Sequence, residues 1–174
     1  MDYCFLPYDP IFSKLFEKEK LYLQRILGSN ITIEHFGSTA VPGLDGKGVI
    51  DIYILTSKDK IESISDILQK NGYVFGDFFK DDDHLLYQID KLESNKKYHY
   101  HIHLSSIGSA NFKDCIIFRD YLRTHPEAIK KYTQFKKIAL NKIKDITDKK
   151  EVVKIYLDTK KPIIEEIIQA VKEK

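Results

Sequence analysis

Residues 35–55 read HFGSTAVPGLDGKGVIDIYIL, and this stretch decides both the fold and the candidate site of the 174-residue chain. A Gly37-Ser38 turn leads into an apolar strand that carries one acid, Asp51. The glycine lets backbone approach phosphate oxygens, the serine adds a hydroxyl donor, and the N–H groups of a short helix starting there attract anions. Asp51 offers the oxygen ligand that Mg²⁺ prefers. The pattern is typical of a triphosphate site, although a strand–turn–strand connection with an acid at a strand end looks the same.

The strand at the end of this stretch predicts one buried face and one functional face. Side chains alternate along a strand, so Asp51 and Tyr53 share a face while Ile50, Ile52 and Ile54 share the other. Because both faces carry apolar residues, we expect this strand in the interior of a sheet.

A second strand carries three histidines in register. In YHYHIHL, His99, His101 and His103 fall on one face at a period of two. Such imidazoles can bind Zn²⁺ or Mn²⁺, donate hydrogen bonds to a phosphate, or act as a general base near pH 7. The alternative is a polar sheet face whose histidines are satisfied by internal hydrogen bonds.

Along nearly its whole length the chain resembles the GrpB-like family, a set of small bacterial proteins placed in the nucleotidyltransferase superfamily. The matching blocks, in the family's order, are YDPIFSKLFEKEK, IEHFGSTAVPGLDGKGVIDI, HYHIHL, FRDYLRTHPEAIKKY and YLDTKKPI. The GST-VPGL and FRDYLR-HP elements are the specific ones. The chain differs at Gly48, where the family usually has proline, and at Tyr53, where the wider superfamily normally has a second acid. Since a phenol is a poor Mg²⁺ ligand at neutral pH, other groups must complete any metal site.

The motifs and the resemblance together predict the residues of a nucleotide site. The expected catalytic and metal-ligating residues are Asp51, His101 and His103, with Mg²⁺ as the cofactor and Mn²⁺ or Zn²⁺ as alternatives. The expected nucleotide-binding residues are Gly37, Ser38, Thr39, Lys47 and Arg119. Arg119 lies on an otherwise apolar helical stripe, so its guanidinium needs a phosphate or, alternatively, an internal carboxylate such as Asp51 or another sheet acid. Lys47 is either a phosphate ligand or a solvated loop lysine.

Three functions fit these residues. The first is transfer of a nucleoside monophosphate from a nucleoside triphosphate to an unidentified acceptor hydroxyl, phosphate or amine. The second is a catalytically degenerate nucleotide-binding or protein-interaction module that lost the second acid. The third is a metal-dependent phosphohydrolase, because water can replace the acceptor.

Composition indicates one cytoplasmic domain. With 43% hydrophobic residues and no apolar run of about 18 residues, the chain predicts a single core, no membrane span and no secretory leader. Cys4 and Cys115 form no spaced pair, so we expect reduced thiols. Residues 126–174 hold 13 lysines against 8 acids, which we interpret as solvated helix faces rather than a nucleic-acid surface. The run Asp81-Asp82-Asp83 predicts a hairpin loop, with a metal role as the alternative. Nothing in the sequence indicates an oligomeric state.

The residues that begin and end helices, together with the apolar strand patterns, predict an α+β fold. We expect a helix from Asp9-Pro10 to Gly28, strands over 31–36 and 48–55, a helix over 58–70, and strands near 73–79, 84–90 and 98–105. Helices should follow from about 110, from a capping box over 124–127, and from a second capping box over 148–151. The resemblance implies that these elements form one nucleotidyltransferase-like domain over residues 1–174. It consists of a mixed sheet of about five strands with flanking helices (about 1–107) and a helical C-terminal part (about 108–174).

Overall fold

The computed structural model describes residues 5–81 and 84–173, and only the backbone for 77–81. The α+β prediction is confirmed, with five strands and five α-helices in the described residues. The strands are β1 (Thr32–Phe36), β2 (Ile50–Thr56), β3 (Val74–Asp81), β4 (His84–Glu93) and β5 (Lys96–Ser106). The helices are α1 (Ile11–Leu27), α2 (Ile61–Lys70), α3 (Ala110–Thr124), α4 (Pro126–Ile143) and α5 (Lys149–Lys172). The hairpin loop predicted over 81–83 lies outside the described residues, except for the backbone of Asp81.

The five strands form one mixed sheet in the order β1-β2-β5-β4-β3. The central pair, β2 and β5, is parallel, whereas the other three pairs are antiparallel. A parallel pair requires a long crossover, and here α2, β3 and β4 supply it. The β4–β5 turn at Ser94 and Asn95 has both residues at positive φ, as is typical of a two-residue hairpin turn.

One face of the sheet is covered by α1 and α2 and forms the main hydrophobic core. The isoleucines of β2 lie on this face, together with Tyr100 and Ile102 of β5, and all are buried. They pack against Phe12, Leu15, Phe16 and Leu23 of α1 and Ile64 and Leu68 of α2. Fully burying each such side chain stabilises the fold by about 1.5–3 kcal/mol, so apolar packing holds α1 and α2 on this face of the sheet.

The opposite face of the sheet, which carries Asp51 and the histidines, is covered by the C-terminal helices. Phe112 of α3 packs edge-on against Tyr53, with ring centroids 5.2 Å apart. Further apolar clusters join α3, α4 and α5 to one another and to Val41 and Leu44 of the loop after β1. The sheet thus has one closed face and one face left for a cavity.

The two predicted capping boxes have different outcomes. At α5 the Asp148 side chain accepts a hydrogen bond from the Glu151 N–H at 2.8 Å, as predicted. At α4 the prediction is wrong, because His125 occupies the N-cap position and makes no side-chain cap. The Thr124 hydroxyl instead bonds back to the carbonyls of Asp120 and Tyr121 at the end of α3.

None of the helices in the described part of the chain has the length and apolar character needed to cross a membrane.

Candidate functional site

The pairing of β2 with β5 brings the strand acid and two histidines together. Asp51 lies opposite His101 and Tyr53 opposite His103 in the parallel register. The Oδ1 atom of Asp51 is 3.3 Å from Nδ1 of His101 and 3.9 Å from Nε2 of His103. The expected convergence of these three side chains is therefore found, while His99 turns to Asp90.

The charges of this cluster follow from burial and mutual contact. Burial alone would raise the pKa of Asp51, but the adjacent His101 and His103 outweigh it and hold that pKa below its ordinary value. Burial lowers the pKa of His103, more than its contact with Asp51 raises it. At neutral pH the cluster therefore holds an ionised carboxylate beside a neutral imidazole, which are the protonation states that bind cations.

Three donors of this cluster fit a divalent cation. One ligand atom each from Asp51, His101 and His103 lies within 4.8 Å of the other two. A separation of 3.9 Å is too long for a hydrogen bond, and Nε2 of His103 is buried without a hydrogen-bond partner. Because a buried unpaired ring nitrogen is costly, a cation between it and the carboxylate would satisfy both.

The Gly37-Ser38 turn presses against the carboxylate. Gly37 has φ 72° and ψ −171°, a conformation that is essentially restricted to glycine. A Cβ at this position would lie 2.2 Å from Oδ2 of Asp51. The predicted short helix is a single 3-10 turn, Ser38–Ala40, so it places a hydroxyl at the site but offers little helix dipole.

A cavity of about 550 Å³ opens on this face, in the size range of small-molecule sites. Its floor contains the Asp51 cluster and the Gly37-Ser38 turn, and its walls come from the loop before β2 and from α3, α4 and α5. Lys47 lies in this lining, as predicted for a ligand-facing residue, with its ammonium 5.0 Å from the ring of Tyr156.

Two lysines that line the cavity were missed by the sequence analysis. Lys136 of α4 is buried, and Lys160 of α5 is half-buried with its ammonium 4.2 Å from the Tyr156 ring. The prediction that the C-terminal lysines form solvated faces is therefore wrong for both. The sequence does contain a signal for them, because each lysine falls among the apolar residues that recur at helical spacing along the buried side of its helix. These buried stripes are Ala128, Tyr132, Lys136, Ala139 and Ile143 in α4, and Tyr156, Lys160, Ile163 and Ile167 in α5.

The lysines make one wall of the cavity cationic. Burial lowers the pKa of Lys136 to about 8 and, with help from Lys47 and Lys136, that of Lys160 to about 7. The Lys136 ammonium donates to the carbonyl of Asp45 and would lie 3.0 Å from a Cβ at Gly46, beside the Ser38 hydroxyl.

Three further acids in the lining do not oppose this charge. Each is ion-paired with a lysine other than Lys47, Lys136 and Lys160: Asp114 with Lys172, Asp158 with Lys154, and Glu165 with Lys161, an exposed lysine at the edge of the same lining. Asp51 is therefore the acid in the described lining that has no lysine partner of its own.

Two predicted nucleotide-binding residues lie away from this cavity. Thr39 is buried behind the turn, where it donates to the carbonyl of Val49 at 2.8 Å and contacts Nε2 of His35 at 3.0 Å. Arg119 is buried against β1, where it donates to Glu34 and to the carbonyl of His35, each at 2.8 Å. The acids that partner Arg119 are thus Glu34 of β1 and the adjacent Asp120, whose Oδ1 lies 2.8 Å from the Arg119 Nε, rather than Asp51. The contacts with Glu34 and the His35 carbonyl hold α3 on the sheet.

Comparison with known proteins identifies the family and the fold. The family model described as GrpB protein matches residues 5–170. The UPF0157 protein BH1888 of Halalkalibacterium halodurans is 30% identical over 172 residues, covering 94% of this chain and 80% of that protein. The crystal structure of GrpB from Enterococcus faecalis superposes with a TM-score of 0.76 at 24% identity, covering 97% of this chain and 99% of that one.

A more distant structure has a recorded activity. The Cid1 poly(U) polymerase bound to MgATP superposes with a TM-score of 0.53 at 15% identity, over 83% of this chain and 46% of its own. This similarity concerns the fold alone, and this chain spans less than half of that polymerase chain. The chain therefore belongs to the GrpB protein family and has a nucleotidyltransferase-like fold.

Proposed function

We propose that this protein binds a nucleoside triphosphate with a divalent cation and transfers its nucleoside monophosphate to a small acceptor. The observation that carries the proposal is the cavity between sheet and helices, which joins a carboxylate–imidazole cluster to a wall of lysines. The two charges are complementary to the two ends of a metal–triphosphate complex. A polar cluster at one end and aliphatic and aromatic side chains elsewhere match the composition of small-molecule sites.

The lysine wall supports binding of the β- and γ-phosphates. Burial in the cavity removes water from the ammonium groups of Lys136 and Lys160 and so disfavours their charged forms. A bound phosphate would supply a negative partner that compensates for this loss of hydration. Lys47 lies near enough to depress the pKa of both. The Ser38 hydroxyl, on the floor beside Lys136, would add a neutral donor.

The carboxylate–imidazole cluster supports chemistry at the α-phosphate. A cation held by Asp51, His101 and His103 would withdraw charge from the phosphoryl oxygens. In the transfer, an acceptor oxygen or nitrogen forms a bond to the α-phosphorus and releases any proton it carries to water. The bond from the α-phosphorus to the α–β bridging oxygen breaks, and pyrophosphate leaves with that electron pair. The lysine wall stabilises the charge that develops on this leaving group.

A binding module without catalysis is the second candidate, and Tyr53 favours it. This residue stands at the second acid position, is fully buried, and packs between Phe36, His103 and Phe112. A site with one carboxylate would hold a nucleotide while lacking the second acid that the wider superfamily normally has on this strand.

The experiment compares Asp51→Asn with Asp114→Asn, a second carboxylate of the same cavity that is ion-paired with Lys172. At 100 times its dissociation constant, a nucleoside triphosphate should stabilise the wild type by about 2.7 kcal/mol, which raises Tm by roughly 5–10 °C at this chain length. We expect this metal-dependent shift to disappear in Asp51→Asn and to persist in Asp114→Asn. Equal shifts in both variants would contradict the proposal.

Turnover separates the candidate functions. With α-labelled nucleotide and a panel of small hydroxyl, phosphate and amine acceptors, a transferase labels an acceptor and releases pyrophosphate only in its presence. A phosphohydrolase releases phosphate or pyrophosphate with water alone. A binding module gives the stabilisation without either product.

A further inference from the structure

The donor set of the cluster differs from the one that a Mg²⁺ site requires. Mg²⁺ binds oxygen ligands in near-ideal octahedral geometry and dehydrates reluctantly. The cluster offers one carboxylate and two imidazoles in the described residues. Tyr53 supplies no further oxygen at the site, since it is fully buried and its hydroxyl lies 3.3 Å from Oγ of Ser105.

Imidazole is a ligand of borderline metals rather than of Mg²⁺. Two histidines with one carboxylate, leaving open positions, are typical of catalytic Zn²⁺ sites and of other first-row divalent sites. His103 turns a buried Nε2 without a hydrogen-bond partner towards Oδ1 of Asp51, and His101 approaches the same oxygen through Nδ1 at 3.3 Å, so each imidazole presents one ring nitrogen to the carboxylate.

A further histidine, His84, contacts the cluster and fixes the orientation of His103. His84 of β4 is buried, and its Nε2 lies 2.7 Å from Nδ1 of His103, with the two rings stacked at 11°. This hydrogen bond occupies Nδ1 of His103 and directs its Nε2 towards Asp51. Ligand histidines are commonly oriented through their second ring nitrogen in this manner.

We propose that Asp51, His101 and His103 form a site that prefers a borderline first-row cation of the Zn²⁺ or Co²⁺ class to Mg²⁺, and that His84 positions His103 in it. The inference rests on the proposed function for what the cation does. Its binding, however, needs neither nucleotide nor turnover, so the two proposals can fail separately.

The test measures metal binding to chelator-treated full-length protein by titration calorimetry, using Zn²⁺, Co²⁺ and Mg²⁺ alone. We expect one Zn²⁺ or Co²⁺ per chain, bound at least about 100-fold more tightly than Mg²⁺, and a Co²⁺ absorption spectrum that reports nitrogen ligation. Equal affinities for Zn²⁺ and Mg²⁺ would overturn the proposal, and this comparison needs no variant.

Variants then locate the ion. His101→Ala and His103→Ala should each remove the tight Co²⁺ spectrum, whereas His84→Phe should weaken Co²⁺ binding by about 10–100-fold with the site still present. The matched control is His99→Ala, which removes the third histidine of the same strand face. Tight binding that survives in both ligand variants would show an adventitious surface ion only. Circular dichroism of each variant separates loss of the site from loss of the fold.

Discussion

Replacing Gly37 with alanine should disable the site through one methyl group. The added Cβ would lie 2.2 Å from Oδ2 of Asp51, whereas ordinary contact begins at 3.4 Å, so the carboxylate must retreat by about 1.2 Å. The backbone strain of this conformation costs about 1–3 kcal/mol. Displacements of about 1 Å in a site cost on the order of 100-fold in rate, and disturbed ligand orientation costs about 10–100-fold in metal affinity. We therefore expect Gly37→Ala to lower metal-dependent nucleotide affinity by about 10–100-fold.

The matched control is Gly28→Ala at the end of α1. Gly28 has nearly the same backbone conformation, φ 87° and ψ 177°, but a Cβ there meets nothing within 4 Å. Urea denaturation should show a similar loss of stability, about 1–3 kcal/mol, in both variants. Calorimetry should show the loss of binding only in Gly37→Ala. Wild-type binding in Gly37→Ala, or an equal loss in Gly28→Ala, would refute the assignment of Asp51 to the site.

Two further predictions concern buried titrating groups. Lys136→Met should raise the free energy of unfolding at pH 7 by up to about 3 kcal/mol, because burial lowers the pKa of this lysine from 10.5 to about 8 and the substitution removes the buried cation. The same substitution should weaken triphosphate binding. The exposed Lys137→Met should change neither quantity, and a destabilised Lys136→Met would count against a functional lysine. Burial lowers the pKa of His35 from 6.5 to about 4, so the unfolded state binds more protons between these values and stability falls as pH falls through them. Urea titrations at several pH values should show up to about 3 kcal/mol of this loss, and His35→Phe should remove it.

The shared placement of Asp51, His101 and His103 could be predicted from strand periodicity alone. Asp51 and the histidines alternate with apolar residues that the α1–α2 core buries, so their shared face follows from the pattern. Pairing of the two strands follows from burial on both sides of β2. The hairpin tip at Ser94 and Asn95 and the end of α1 at Gly28 were likewise readable from local turn chemistry.

The cationic wall and the role of Arg119 could not be predicted in the same way. Arg119 has the correct residue type for either phosphate or carboxylate, and only the docking of α3 beside β1 selects Glu34. Lys136 and Lys160 lie 30 and 54 residues beyond the end of β5, and their approach to Asp51 depends on how α4 and α5 pack. Their interruption of two buried stripes is visible in the sequence, but amphipathic helices commonly keep lysine stems on such boundaries.

The cavity walls come from two stretches of chain, the sheet with the loop before β2 and the C-terminal helices. The sheet supplies the carboxylate and imidazoles, and the last two helices supply the amines, so an occupant that binds both becomes a cross-link between them. Moving α5 away from the sheet would then also require the occupant to be released, so the free energy of this opening would rise by the free energy of binding. Amide hydrogens of α4 and α5 should therefore exchange more slowly with deuterium when the site is filled, while those of the α1–α2 core, already closed by packing, change little.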